Sequence, residues 1–176
     1  MYQMPGSVLL PYKGTRPKLA EGVFLASGCH VIGDVEIGEE SSLWFNVVVR
    51  GDCNFIRIGN RTNIQDNATI HVTNSRFPTY IGDDVTIGHG VILHGCRLEG
   101  RSLIGMGAII MDNVVIPERS LVAAGSLVTP GKTFNPGMLI KGNPAREARP
   151  LTEQELFEID RSVKYYLEYK RGYVPS

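Results

Sequence analysis

Apolar residues recur every six positions along most of this chain. From Leu19 an aliphatic or aromatic residue returns at Leu25, Val31, Ile37, Leu43, Val49 and Phe55. The series restarts at Ile58, Ile64 and Ile70, and again at Ile81, Ile87 and Leu93. It then runs from Leu98 through Ile104, Ile110, Ile116 and Val122 to Val128. Four places after most of these anchors stands a small or β-branched residue, such as Val23, Cys29, Val35, Val47, Cys53, Thr62, Ala68, Val85 or Ser102. A period of six is neither helical nor a plain strand alternation. It fits a short strand followed by a turn. The residue four after one anchor is two before the next, so both point inward on one strand. Glycine often follows the anchor, at Gly38, Gly59, Gly82, Gly88 and Gly105, where a sharp turn is expected. Three hexads per coil predict a triangular parallel β-helix. From Leu19 to about Ala145 this makes roughly seven coils, about 34 Å tall at ~4.8 Å per stacked strand.

The flanks read differently. Residues 1–18 carry Pro5, Pro11, Gly14 and Pro17 and are expected to form an extended strap. The β-helix is expected over residues 19–147, and a helix with its tail over 148–176. Thr152 with Glu155 makes a capping box. Leu156, Ile159, Val163 and Tyr166 or Leu167 form one helical stripe, and Gly172 is a stop. The outward hexad position is apolar at Ile92, Ile109 and Leu127, and at Leu103 and Leu121. These make two apolar stripes on the prism, one expected under the C-terminal helix and the other against a partner chain.

Breaks in the repeat locate the chemistry. Val49 and Ile58 are nine apart, Ile70 and Ile81 eleven, and Leu93 and Leu98 five. If each break changes a corner length, Val49, Ile70 and Leu93 share a face in successive coils. Arg50, His71 and His94 then stack at one corner. Ile64 and Ile87 share another face, which puts Gln65, Asp66 and His89 at a different corner. The alternative, a degenerate hexad within residues 71–80, would stack His71 over His89. The first reading gives His71 and His94 the same role in the repeat. Two corners of one prism are too far apart to share a metal. A threefold assembly would bring one corner of each chain against the other corner of its neighbour, so that three imidazoles meet at each interface.

Composition narrows the classes. Lys and Arg total 18 and Asp and Glu total 18, which argues against a nucleic-acid partner. No run of apolar residues is long enough to span a membrane, and the N-terminus lacks the pattern of a signal peptide. Three cysteines without metal-clip spacing suggest a reducing, cytoplasmic setting.

Three neutral imidazoles suit Zn²⁺ and leave a fourth position for water. Fe²⁺ and Co²⁺ suit the same set. His30 takes an outward strand position and is expected to be structural. Arg50 and Asp52 read either as an ordinary ion pair or as a pair across a subunit seam. Gln65 and Asp66 read as turn-formers, or as groups that aim a metal ligand and pair with Arg50 of a neighbour. Cys29 and Cys53 read as inward packing residues, and Cys96 as a turn residue without a role. Trp44 and Phe45 are expected to be exposed in a single chain and to pack at an interface.

The motifs R-G-D at Arg50–Asp52, N-I-Q-D at Asn63–Asp66 and H-x4-H at His89 and His94 resemble those of the γ-class carbonic anhydrases and their bacterial relatives, within the hexapeptide-repeat proteins. The resemblance covers nearly the whole chain. It implies an all-β solenoid, a left-handed parallel β-helix with a C-terminal α-helix packed along it. The general crossover rule would instead make it right-handed. The resemblance also implies a homotrimer, with His71 and His94 of one chain and His89 of the next on the metal. Arg50 and Asp52 then stand at the seam, Gln65 orients hydroxide, and Tyr166 is the candidate from the C-terminal helix. The implied reaction is reversible hydration of CO2 to bicarbonate. Two positions depart from the founding type. Cys53 replaces a glutamate, and the sequence VTNSRFPTY after His71 lacks the proton-carrying carboxylate. Both losses fall on proton transfer. The same fold also serves acyltransferases with a histidine base and no metal, and it would equally serve a metal-binding trimer with little or no hydration activity.

Overall fold

The computed structural model describes residues 1–174, a left-handed parallel β-helix with one α-helix, Glu153–Arg171, against it. Strands Phe24–Leu25, Ser42–Leu43, Asn63–Ile64, Thr86–Ile87, Leu103–Ile104 and Leu121–Val122 stack in that order on the first face. Thr69–His71, Ile92–His94, Ile109–Ile110 and Leu127–Val128 stack on the second, and Thr79–Ile81, Arg97–Leu98 and Val115–Ile116 on the third. The longer strands His30–Ile37 and Val48–Ile58 run across the corner between the second and third faces. A hairpin of Met138–Gly142 with antiparallel Ala145–Pro150 closes one end. At the other end the N-terminal segment is extended, and Tyr2–Gln3, Val8–Leu10 and Lys18–Leu19 each pair with the coil next to them.

Corners as short as these lie outside the reach of the right-handed crossover rule. The right-handed rule describes crossovers long enough to pack a helix back on the sheet. Here four residues join consecutive strands, and the third residue after an anchor takes a positive φ. Glu40 (60°), Asn46 (59°), Arg61 (51°), Asn67 (61°), Asp84 (57°), Gly90 (66°), Arg119 (56°) and Gly125 (67°) all do so. Asn and Asp tolerate this region through local hydrogen bonds, whereas Glu and Arg occupy it at a cost of about 1–2 kcal/mol each. The rule lapses after Val49, Ile70 and Leu93, the anchors that lead into the corner carrying Arg50, His71 and His94.

Glycine directly after the anchor serves a purpose other than the expected turn. Gly82 and Gly88 do not adopt positive φ. A Cβ on Gly82 would lie 2.7 Å from Gly100 N, and one on Gly88 2.7 Å from Met106 N. These glycines let successive coils touch backbone to backbone.

The anchors form the core. Leu25, Leu43, Ile64, Ile70, Ile87, Leu93, Ile104 and Ile110 are fully buried. Phe55 departs from this pattern and corrects the expected register. It is half-buried, stacked edge-on against Tyr80 at 5.4 Å with Arg57 over its face at 4.6 Å, while Ile56 is the buried residue. The register between the two long strands shifts between Gly33 and Val35, so the side-chain alternation changes phase within the hexad.

The helix begins at the expected capping box. Thr152 accepts from Glu155 N, and Glu155 reaches back to the Thr152 N–H. Ile159 and Val163 are buried beneath it. It lies on the first face, where Thr86 Oγ1 meets Ser162 Oγ at 3.2 Å. Its last turn buries Lys170, whose Nζ donates to Gly22 O and Glu40 O at 2.8 Å and pairs with Glu40 Oε2 at 2.6 Å. This turn also corrects the reading of Trp44, which is buried in the single chain. Tyr166 and Tyr173 meet the indole edge-on at 5.3 and 5.6 Å, and Phe24 packs on it at 5.4 Å. Of the two apolar stripes, Leu103 and Leu121 lie half-buried on the face that carries the helix, while Ile92 and Ile109 stay exposed on the second face. No helix among the described residues is long and apolar enough to cross a membrane.

Candidate metal centre

His71 and His94 end consecutive strands of the second face and pair directly in register. Stacking by one coil brings His71 Nδ1 to 3.1 Å from His94 Nε2. Asp52 approaches from the coil below. Its Oδ1 lies 3.1 Å from His71 Nε2, and its Oδ2 accepts from Arg50 Nη1 at 2.6 Å. Asp112 approaches from the coil above, with Oδ1 2.7 Å from His94 Nδ1 and 2.9 Å from the Thr73 hydroxyl. One corner therefore carries a column that reads Asp52, His71, His94, Asp112.

Charge in this column is fixed by its neighbours. Burial opposes ionisation of Asp52, but hydrogen bonds from Arg50 and His71 and the Arg50 charge outweigh it and hold the carboxyl at about 2. Burial pushes the His71 imidazole below its ordinary value, against the pull of Asp52 and with the help of Arg50. A neutral imidazole is the form that ligates a metal.

His89 stands at the corner between the first and second faces, two residues past Ile87. Its Nδ1 is 2.7 Å from Asp66 Oδ2, and Asp66 Oδ1 accepts from Phe45 N at 3.2 Å. Gln65 is 7% exposed, and its Nε2 donates to Asn63 Oδ1 at 3.2 Å. Asn63 Nδ2 donates to Thr86 Oγ1 at 2.8 Å. Among the described residues, Gln65 Oε1 has no hydrogen-bond partner. Tyr166 belongs to this corner. It lines a cavity of about 320 Å³ with Trp44, Phe45, Asp66, Tyr169 and Tyr173. Burial and then the Asp66 charge push its phenol up to about 12.

The predicted residues thus divide into two groups. Arg50, Asp52, His71 and His94 meet at one corner, and Gln65, Asp66, His89 and Tyr166 gather at another. The Arg50–Asp52 pair forms within one chain. His30 is held by a 2.8 Å contact from Nδ1 to Gly28 O. The sequence reading missed Asp112. Its only signal is an acid two places past Ile110, in the coil that follows His94. Cys96 lies in the turn between Ile92–His94 and Arg97–Leu98, as expected, and its side chain is buried in the core. Cys53 is half-buried and packs against the core as expected, and its thiol also lies near Asp52 and His71. All three thiols are free.

Each of the three candidate ligands has a carboxylate on one ring nitrogen: Asp52 on His71, Asp66 on His89, and Asp112 on His94. Such carboxylates fix the tautomer and orient the other nitrogen toward a metal. Two nitrogens on one tetrahedral ion at about 2.0–2.1 Å stand roughly 3.3 Å apart. The 3.1 Å between His71 and His94 fits that spacing. The pair supplies half of a tetrahedral donor set.

The family pattern "Bacterial transferase hexapeptide (six repeats)" matches residues 16–51. The carbonic anhydrase of Geobacillus kaustophilus is 46% identical over 166 residues, covering 94% of this chain and 91% of that protein. Gamma carbonic anhydrase 2, mitochondrial, of Arabidopsis thaliana is 44% identical over 156 residues, covering 86% of this chain. The chain spans about half, 56%, of that protein's length. The crystal structure of a hexapeptide transferase family protein from Anaplasma phagocytophilum superposes with a TM-score of 0.91 at 44% identity, covering 95% of this chain and 98% of that one. With its repeat, its stacked coils and these relatives, the chain belongs to the hexapeptide-repeat proteins, as a γ-class carbonic anhydrase-like member related also to the hexapeptide acyltransferases.

Proposed function

We propose that the chain forms a homotrimer that hydrates CO2 reversibly to bicarbonate, with the metal site shared between neighbouring subunits. The observation that carries this reading is the division of the histidines. His71 and His94 face each other at 3.1 Å, while His89, equally braced by a carboxylate at 2.7 Å, stands at another corner. A neighbour related by threefold symmetry would bring its His89 to the pair. The exposed stripe of Ile92 and Ile109 offers the apolar contact for that neighbour. Relatives that carry the name carbonic anhydrase over nearly their full length support the chemistry.

His71, His94 and the neighbour's His89 would hold Zn²⁺, or Fe²⁺ or Co²⁺. The metal, when bound, supplies a water acidic enough to be a nucleophile near neutral pH. Asp52, Asp66 and Asp112 each meet one ring nitrogen and aim the other. Arg50 keeps Asp52 ionised. Gln65, tied at Nε2, accepts the attacking water's hydrogen bond at Oε1 and turns its lone pair toward CO2. Tyr166 stays protonated and walls the corner beside Asp66. Hydration releases one proton with each bicarbonate. With Cys53 in place of a carboxylate and no acid in the segment after His71, that proton passes to buffer.

A second reading is favoured by the matched transferase pattern and by the transferase relative of known structure. It is acyl transfer with one histidine as base, and it needs no metal. A third is a metal-binding trimer with little hydration activity. Stopped-flow CO2 hydration, with metal counted per trimer, decides among the three. The proposal expects metal-dependent hydration that disappears in His94→Ala. Metal without hydration leaves the binding trimer. Acyl transfer by metal-free protein leaves the transferase.

A further inference from the structure

We propose that Asp52, Cys53 and His71 form a second cation site, selective for thiophilic divalent metals and complete within one chain. It does not depend on the trimer or on CO2 hydration.

The donor atoms of these three residues all lie within 4.8 Å of one another, and among the described residues no other group of His, Cys, Asp and Glu meets that condition. The two nitrogens of His71 face two different sets. Nδ1 faces His94 at 3.1 Å, and Nε2 faces Asp52 Oδ1 at 3.1 Å. Arg50 holds Asp52 through Oδ2, which leaves Oδ1 for a cation. The Cys53 thiol meets Val72 O at 3.7 Å and the Asp52 carboxylate, weak sulfur hydrogen bonds that a metal replaces readily. Asp52 also lines an open cavity of about 260 Å³ with Tyr12, Lys13, Thr15, Asp34 and Gly51, and Cys53 and His71 are each only partly buried.

A thiolate, an imidazole and a carboxylate suit Zn²⁺, Co²⁺ and Cd²⁺, and they disfavour Mg²⁺ and Ca²⁺. Binding replaces the thiol proton with the metal and releases one proton to solvent. Both sites draw on the His71 ring. A thiophilic ion at Cys53 therefore holds His71 without any neighbouring subunit, and competes with a metal shared across the interface.

The test is cobalt titration of metal-free His94→Ala, with circular dichroism to verify the fold. The expected result is one Co²⁺ per chain with a thiolate-to-cobalt charge-transfer band. Cys53→Ser in the same background should remove the band and weaken binding about 10- to 100-fold. Cys53→Ala serves if the serine variant does not fold. No sulfur band in folded His94→Ala overturns the proposal, as does a band that survives loss of Cys53. The two sites fail separately. Wild-type cobalt binding that lacks a sulfur band and is lost in His89→Ala keeps the shared site and removes this one. A Cys53-dependent band together with indifference to His89→Ala does the reverse.

Discussion

Asp112 Oδ1 lies 2.7 Å from His94 Nδ1 and takes the Thr73 hydroxyl on the same oxygen at 2.9 Å. One carboxylate thus fixes the tautomer of a candidate ligand and ties down the segment that follows His71. Asp112→Ala is expected to weaken metal binding about 10- to 100-fold, measured by competition with a chelator. Asp112→Asn keeps an acceptor for His94 and should lose less. Equal affinity in wild type and Asp112→Ala would remove Asp112 from the site.

Asp52 sets an acid limit on stability. Its folded-state pKa of about 2 lies below the ordinary 3.8, so the folded state favours the ionised form. That contribution is complete above about pH 4 and is lost as pH falls toward 2. A shift of this size on a partly exposed group corresponds to about 1–2 kcal/mol. Asp52→Asn should flatten the fall in Tm between pH 4 and pH 2 relative to wild type. Parallel curves over that window would contradict the assignment.

Lys170 clamps the helix end to the corner turns through three contacts of 2.6–2.8 Å. Lys170→Met leaves the buried carbonyls without their charged donor and should cost about 2–3 kcal/mol. The chain has one tryptophan, and Trp44 packs under Tyr166 and Tyr173. Loosening of the helix end should therefore shift Trp44 emission to the red before global unfolding. A single transition with unchanged emission in the folded baseline would show that the clamp is dispensable.

Two glycines test the account of the coils. Gly88→Ala drives a Cβ to within 2.7 Å of Met106 N and should cost about 1–3 kcal/mol through overpacking. Gly90, with φ of 66° and nothing within 4 Å, should lose only about 1 kcal/mol on substitution by Ala. Urea unfolding of the two variants ranks them. The reverse order would mean that turn strain, rather than coil contact, fixes the glycine after the anchor.

Much of the fold is written in local pattern. The hexad marks which residues point inward, and the broken intervals after Val49, Ile70 and Leu93 mark the corner where the chain departs from it. That is why the His71–His94 stack is legible from spacing alone. Phe55 is not legible in this way, because one register shift changes the phase of the long strand. Asp112 and Lys170 act across coils or across the chain. Their partners, His94 and the Gly22 and Glu40 carbonyls, are 18 or more residues away, and nothing in the hexad links them. Trp44 looks exposed only while the helix that covers it is left out.

The central claim is that neither corner holds the metal alone, and mixing two broken chains tests it most directly. His89→Ala retains His71 and His94, and His94→Ala retains His89. Each variant alone is expected to lose the shared metal site and CO2 hydration. Dissociated and reassembled together in equal amounts, they should recover about a quarter of the wild-type shared sites, from random assortment around a heterologous ring. The measurement is hydration rate with bound metal per trimer. Recovery in the mixture alone is the predicted result. Full metal and activity in either variant by itself, or a mixed trimer that recovers neither, would contradict it.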